Sequence, residues 1–319
     1  MGTFEFTSVF ARELRLFLAF KESMGCNGLS RIHYLRSFDA YCTEHHVRSF
    51  DQQSIESWVR FKKASQPGSS PSWMSYIRDF GRWMRTHESP DAYVLADSWK
   101  SEFYRSQPYL LSRKEIDAFF GSAAELQTTS PWQWQSVAFF GLMHSCGLRT
   151  CEVRRLQLQD VDLTAGFIDV LWSKGNRSRR LPLNDQIISV LADCDRMSLQ
   201  QFGQHRSTFF VSSTAAPVAP ATTGVIFNRI WNQAGLPLPL GGKQPHPYSF
   251  RHHFAYANIE RWMSQGRDIN AMMPYLSRYM GHATLDSTFY YIHTSPDFMD
   301  GYATLVKDSQ GMIPEVGFE

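Results

Sequence analysis

"GLMHSCGLRTCEVRRLQLQDVDL", residues 141–163, stops one helix and starts another within four residues. The apolar run ends at Cys146–Gly147, and Arg149 stands at the start of the next helical segment, with Glu152 one turn on. An arginine buried at a helix start needs an acidic neighbour or an anionic ligand. The helix N-terminus adds positive potential that suits a phosphate. Taken alone, the stretch reads as a plain Arg–Glu helix pair, so its surroundings must decide.

Upstream, "SRKEIDAFFGSA" opens a unit with a Ser-x-x-Glu capping box, Ser112 to Glu115. Downstream, "GFIDVLWSKGNRSRRLPL", residues 166–183, has strand-like flanks around "SKGNRS", a β-hairpin with a basic tip of Lys174, Arg177, Arg179 and Arg180. A charged exposed turn is the ordinary reading. The functional one is a lysine delivered on a turn into a phosphate site, with arginines tracking a nucleic-acid backbone. "TFFVSS", residues 208–213, offers a third strand.

Further out, the first 90 or so residues read as four helices. Residues 5–24 carry Phe6, Val9, Phe10, Leu14, Phe17 and Leu18 at helical spacing. A second helix restarts with Ser30 as its cap. "FDQQSIESWVRFKKA" is the third, residues 66–72 are a turn, and "SWMSYIRDFGRWMRTH" is the fourth. Arg31, Arg36, Lys62, Lys63, Arg78, Arg82 and Arg85 read as solvated helix faces. Residues 88–112, polar and irregular, read as a linker. The expected division is residues 1–105, helical, and 106–319, mostly helical with a small antiparallel β-sheet.

The 319 residues are 43% hydrophobic and 14% aromatic, which excludes a disordered chain and suits two domains. A formal charge of +2 neither requires nor excludes nucleic acid. Five cysteines with no C-x-x-C pair read as reduced thiols of a cytosolic protein. Glu5, Arg12 and Glu13 interrupt any signal peptide, and no apolar run is long enough for a membrane span.

Two more stretches carry chemistry. "HPYSFRHHFAYANI" contains Arg251, His252 and His253. Adjacent histidines diverge on a helix, H-E-x-x-H spacing is absent and Arg251 would repel a cation, so a metal site is disfavoured. "YLSRYMGHATLDSTFYYIHTSP", residues 275–296, follows a Gly–His turn with Tyr290 and Tyr291, which singly would pass for half-buried aromatics. In chain order these give Arg149, Lys174, Arg251, His282 and Tyr291. The pattern, "GLR-x-x-E" first and "GH-x8-Y-x-H" last, resembles the tyrosine recombinase, or phage integrase, family over about residues 108–300. The helical N-terminal part is similar, less specifically, to that family's core-binding domain.

The resemblance implies roles residue by residue. Arg149 matches the first arginine and Glu152 the acidic residue beside it. Lys174 matches the hairpin lysine, Arg251 the second arginine, and His252 the histidine that commonly follows it. His282 matches the His/Trp position, and Tyr291, nine residues on, the nucleophile; Tyr290 stands one residue early. One departure concerns the histidine usually found three residues before the second arginine. Tyr248 occupies that position, while His246 lies five before Arg251; the register favours Tyr248.

By the same resemblance, Arg149 and Arg251 would clamp the scissile phosphate and Tyr291 would form a 3′-phosphotyrosine. Lys174 would protonate the leaving 5′-oxygen, and His282 would bond the phosphate or position Tyr291. Glu152 and His252 would support, and Arg177, Arg179, Arg180 and Lys243 would contact DNA. No metal or other cofactor is implied, because the covalent intermediate conserves the phosphodiester's energy. The implied partners are double-stranded DNA sites, a homotetramer on them and accessory recombination proteins. Leu305, Met312 and Ile313 of the tail would dock on a neighbouring subunit. The expected setting is the bacterial cytoplasm and nucleoid, with no membrane. No arm-binding segment is evident before the helical part, as in compact recombinases that move a mobile element. Chromosome-dimer resolution and a DNA-binding protein that has lost catalysis are the alternatives.

Overall fold

Phe6 and Phe10 are buried, yet Val9 between them is 53% exposed. The first helix, α1, spans Ala11–Ser23, shorter than the residue spacing predicts. The residues before it are irregular, turning at Ser8–Phe10, and are pinned by Asp39, whose buried carboxylate accepts bonds from the Thr7 and Ser8 amides (2.8 and 3.0 Å) and the Ser8 hydroxyl (2.6 Å). The computed structural model describes residues 5–25, 28–65, 73–99, 108–171, 178–239 and 244–293. The chain divides into two units, Met1–Arg105 and Ser106–Glu319.

In the first unit α1 is followed by α2 (Leu29–Glu44), α3 (Gln52–Ser65) and α4 (Met74–His87). Gly28, not Ser30, is the N-cap of α2; Ser30 lies inside the helix. Phe17, Phe38, Trp58, Trp73 and Phe80 fill the core. Two basic residues depart from the solvated reading. Arg78 is buried and donates to the Leu95 and Ala96 carbonyls (2.8 and 3.1 Å). Lys62 is buried with its ammonium over the Tyr34 ring. The start of the expected linker is part of this unit too, since Ala92 and Leu95 are buried in its core and the Tyr93 amide bonds to the Phe50 carbonyl. The turn expected at 66–72 lies outside the described residues.

The second unit is mainly α with a small antiparallel sheet. Its elements are α5 (Arg113–Ala124), α6 (Trp132–Cys146), α7 (Thr150–Arg155), β1 (Val161–Asp162), β2 (Phe167–Val170), β3 (Arg179–Pro182), α8 (Asp185–Phe202), α9 (Pro220–Gln233), α10 (Ser249–Ser264), α11 (Ile269–Met280) and α12 (Asp286–His293). Both halves of the Ser112–Glu115 capping box form at α5. Helix α6 is apolar nearly all round, which is the pattern of a helix at the centre of a core. Phe139, Phe140, Leu142 and Met143 are fully buried, and α5, α8 and α10 pack on it. No helix among the described residues is long and apolar enough to cross a membrane.

The strands run in the order β1-β2-β3, with Ile168 opposite Leu181 and Val170 opposite Arg179. The third strand is therefore Val161–Asp162, not residues 208–213. Phe209 and Phe210 sink into the core, and the Val211 backbone is satisfied in both directions by the Gln135 amide (2.7 and 2.9 Å) instead of by a strand. The hairpin tip lies outside the described residues.

Candidate active site

Helix α6 ends because Gly147 adopts the left-handed conformation, φ 61°, with its Cα against the Phe254 ring. A Cβ there would come 2.5 Å from Phe254 Cδ1. This turn delivers Arg149 as the N-cap of α7. Glu152 answers it twice, accepting from the Arg149 amide (2.9 Å) and from Nη1 (2.8 Å).

Arg179 completes that carboxylate. Its Nη1 and Nη2 donate to Oε1 and Oε2 of Glu152 at 3.1 and 2.9 Å. Glu152, with 1% of its side chain exposed, thus accepts four hydrogen bonds, the full capacity of a carboxylate. Burial would raise its pKa, but the bonds and charge of Arg179, followed by those of Arg149, hold it below the usual range. Arg179, expected from its hairpin position to track phosphates, turns its fork to Glu152 inside the unit, with 8% of its side chain exposed. Arg180, next along β3, faces outward, bonded twice to Asp169 (2.9 and 2.8 Å) with its guanidinium over the Phe167 ring.

The three site arginines share one anchor. Arg179 Nε donates to the Tyr279 carbonyl (2.7 Å), Arg251 Nη2 to Met280 (2.8 Å) and Arg149 Nη2 to Gly281 (2.8 Å). These are three consecutive carbonyls at the C-terminus of α11, where backbone acceptors lack helical partners and carry partial negative charge. Gly281, at φ 67°, makes the close approach possible, since a Cβ there would lie 2.9 Å from Arg179 Nη1. Arg251 is fully buried and its Nη1 also donates to the Gly147 carbonyl, joining the two glycine turns. Burial lowers its pKa and the Arg149 charge adds to that, while Tyr248 and Tyr291 oppose it.

Aromatic rings line the same place. Tyr248, the N-cap of α10, lies with its ring 5.8 Å from the Arg251 guanidinium and 4.9 Å from the His252 ring. His246 is further off, its ring 6.4 Å from His252. Tyr291 is 4% exposed between His252 (5.5 Å) and His282 (6.2 Å, near-parallel). Burial pushes its phenol well above the usual tyrosine range, Tyr248 adds to that, and Arg251 opposes it. Tyr290 is half-buried beside it.

His282 Nδ1 lies 2.6 Å from the hydroxyl of buried Thr288. Burial, then Arg251, Arg149 and Arg179, pull its pKa down to about 3, so it is neutral near pH 7. Thr288 was not singled out from the sequence, though its place one turn before Tyr291 puts it on the same helical face. His253 diverges from His252 to the Leu111 carbonyl (3.0 Å) and a stack on His144. Lys174, Arg177, Lys243 and the tail beyond residue 293 lie outside the described residues. Among the described residues no cluster of three or more His, Cys, Asp or Glu side chains forms a metal site.

The model of the phage integrase family matches residues 110–297. A putative integrase/recombinase, y4rB, of Sinorhizobium fredii is 23% identical over 92% of this chain and 95% of its own. The tyrosine recombinase XerD of Bifidobacterium longum is 24% identical over 79% and 80%. Among solved structures, the XerH site-specific recombinase bound to a palindromic difH substrate superimposes with a TM-score of 0.64 at 15% identity, covering 96% of this chain and 92% of that one. The Tn1549 transposon integrase in complex with transposon right end DNA does so with 0.64 at 14%, covering 92% and 99%.

Proposed function

The chain belongs to the phage integrase family, the tyrosine recombinases, and from that premise we propose that it exchanges DNA strands at specific sites with Tyr291 as nucleophile. The observation that carries this reading is the set of guanidiniums hung on one helix end beside a buried Tyr291. Phosphoryl transfer asks for in-line attack and for fixed charge at the non-bridging oxygens, which planar, permanently charged guanidiniums supply. Arg149 and Arg251 clamp the scissile phosphate. The Tyr291 oxygen attacks phosphorus, its bond forming as the bond to the 5′-oxygen breaks, and a 3′-phosphotyrosine results. Lys174 gives the leaving 5′-oxygen its proton. Resealing runs the same steps in reverse with a 5′-hydroxyl from the partner duplex, so the phosphodiester energy is conserved.

A tyrosine with an ordinary pKa of about 10 must shed its proton to attack at neutral pH. Of the two imidazoles in ring contact with Tyr291, His252 is nearer, and His282 is too weak a base. His252 therefore takes the proton. His282, if its Nδ1 accepts from Thr288, directs Nε2–H toward a phosphate oxygen. Tyr248, beside both arginines, fills the place of the missing histidine and orients them.

Residues 1–105 serve as the core-binding domain and 106–319 as the catalytic domain, and a homotetramer assembles on DNA through the C-terminal tail. Arg177, Arg180 and Lys243 contact the DNA backbone. The biological role is movement of a mobile element in a bacterial cytoplasm, with accessory recombination proteins at its sites. The test starts by selecting bound sequences from a randomised duplex pool and building a nicked duplex from the winner. The unaltered chain and Tyr290→Phe should form a covalent adduct on it, and Tyr291→Phe should not. An adduct lost only in Tyr290→Phe would sink the assignment. In the same assay His246→Ala should cleave near the normal rate and Tyr248→Phe more slowly.

A further inference from the structure

Glu152 poses a problem that its neighbours solve. It holds Arg149 through two bonds, yet a buried carboxylate 2.8 Å from that guanidinium would also cancel the charge that a phosphate needs. A full ion pair is electrically quiet toward a third group. Among the described residues, the carboxylate's second cation is Arg179, on both oxygens, with its Nε donated to the Tyr279 carbonyl and 8% of its side chain exposed. With Arg179 present, three guanidiniums face one carboxylate, leaving two positive charges on Arg149 and Arg251. Without it, Glu152 neutralises Arg149 and one remains. A phosphodiester carries one negative charge and gains a second as a phenolate oxygen adds to phosphorus, so two are what the attack requires.

We infer that Arg179 is a positioning residue for strand cleavage: it absorbs the charge of Glu152, so that Glu152 can aim Arg149 without disarming it. The inference rests on Arg149 acting as a phosphate clamp. It gives Arg179 work through Glu152 and not through DNA, although it stands on the strand that follows the basic hairpin tip.

A simple structural prop and a charge compensator predict opposite results in one comparison. Arg179→Met should slow single-turnover cleavage of the selected nicked duplex by about a hundredfold, the scale of a misplaced catalytic group. Adding Glu152→Gln, which keeps an acceptor for Arg149 but removes the charge, should then recover at least about tenfold of that loss. A prop would make the double variant as slow as the single one or slower. Circular dichroism and thermal melting establish that each variant is folded at the assay temperature. If Arg179→Met does not fold, Arg179→Lys takes its place. It keeps the charge but loses the fork, so a charge compensator should cleave within about tenfold of the unaltered chain, and a loss of about a hundredfold, which a prop predicts, overturns the inference. Arg179→Met cleaving at the normal rate, or a folded double variant without recovery, overturns the inference alone. No adduct from the unaltered chain overturns the recombinase reading and the inference together.

Discussion

The two faces of β3 treat one residue type in opposite ways. Arg179 has 8% of its side chain exposed and Arg180 has 61%. Each makes a two-pronged bond to a carboxylate, Glu152 inside and Asp169 outside. Successive strand residues point to opposite faces, so a step of one position moves a guanidinium from water to the core. Outside, water already solvates both partners and the pair is worth little. Inside, neither partner tolerates loss of the other, because the survivor keeps its charge and loses its solvent. The same pair of residue types is thus decoration on one face and framework on the other.

The largest expected effect comes from emptying the inner pair. Glu152→Ala leaves two buried guanidiniums uncompensated and should cost about 3–5 kcal/mol in urea denaturation; a loss under about 1 kcal/mol would erase the contrast between the faces. Acid sharpens it. The Glu152 carboxyl is held below its ordinary value of about 4.3, so the stability it contributes is present above that pH and is lost as pH falls through its folded pKa. The stability gap between the unaltered chain and Glu152→Gln should stay constant above about pH 5 and narrow below about pH 4.

His282 should give an intermediate effect over another window. Its pKa is about 3 when folded and about 6.5 when unfolded, so the unfolded chain binds the proton first. The stability tied to its neutral form is complete above about pH 6.5 and drains as pH falls toward 3, by up to about 1.4 kcal/mol per pH unit. His282→Asn should flatten the stability curve in that range; parallel curves would show that its surroundings do not exclude the proton. The smallest effect belongs to the outer pair. Arg180→Gln should leave the urea midpoint indistinguishable from that of the unaltered chain.

The sequence is legible where the interacting partners are local. The Ser112–Glu115 box, the Gly147 stop, Arg149 with Glu152 and the paired hairpin flanks all involve residues close in the chain. Ordered spacing then carried the family pattern from Arg149 to Tyr291, although no single motif did. What escaped depends on distant partners. Phe6 is buried without a helix because Asp39, over thirty residues on, holds the chain before α1. Residues 208–213 have the composition of a strand, but the backbone of Val211 at their centre bonds to the Gln135 side chain. Arg179 looked like its basic neighbours because the Tyr279 carbonyl that claims it lies 100 positions away. A motif reports which side chains occur, and it is silent on which backbone oxygens they reach.

That last point bears on how the site can vary. The anchors of Arg179, Arg251 and Arg149 are the carbonyls of residues 279, 280 and 281, which every amino acid possesses. Point substitution cannot delete them. A mutational scan of this turn should find Gly281 intolerant, because any side chain there strikes the Arg179 guanidinium. At Tyr279 and Met280 the scan reads only what their side chains pack against. The most heavily used attachment point of the site is therefore invisible to genetics at two of its three positions, and heritable change reaches it only through Gly281 and the arginines.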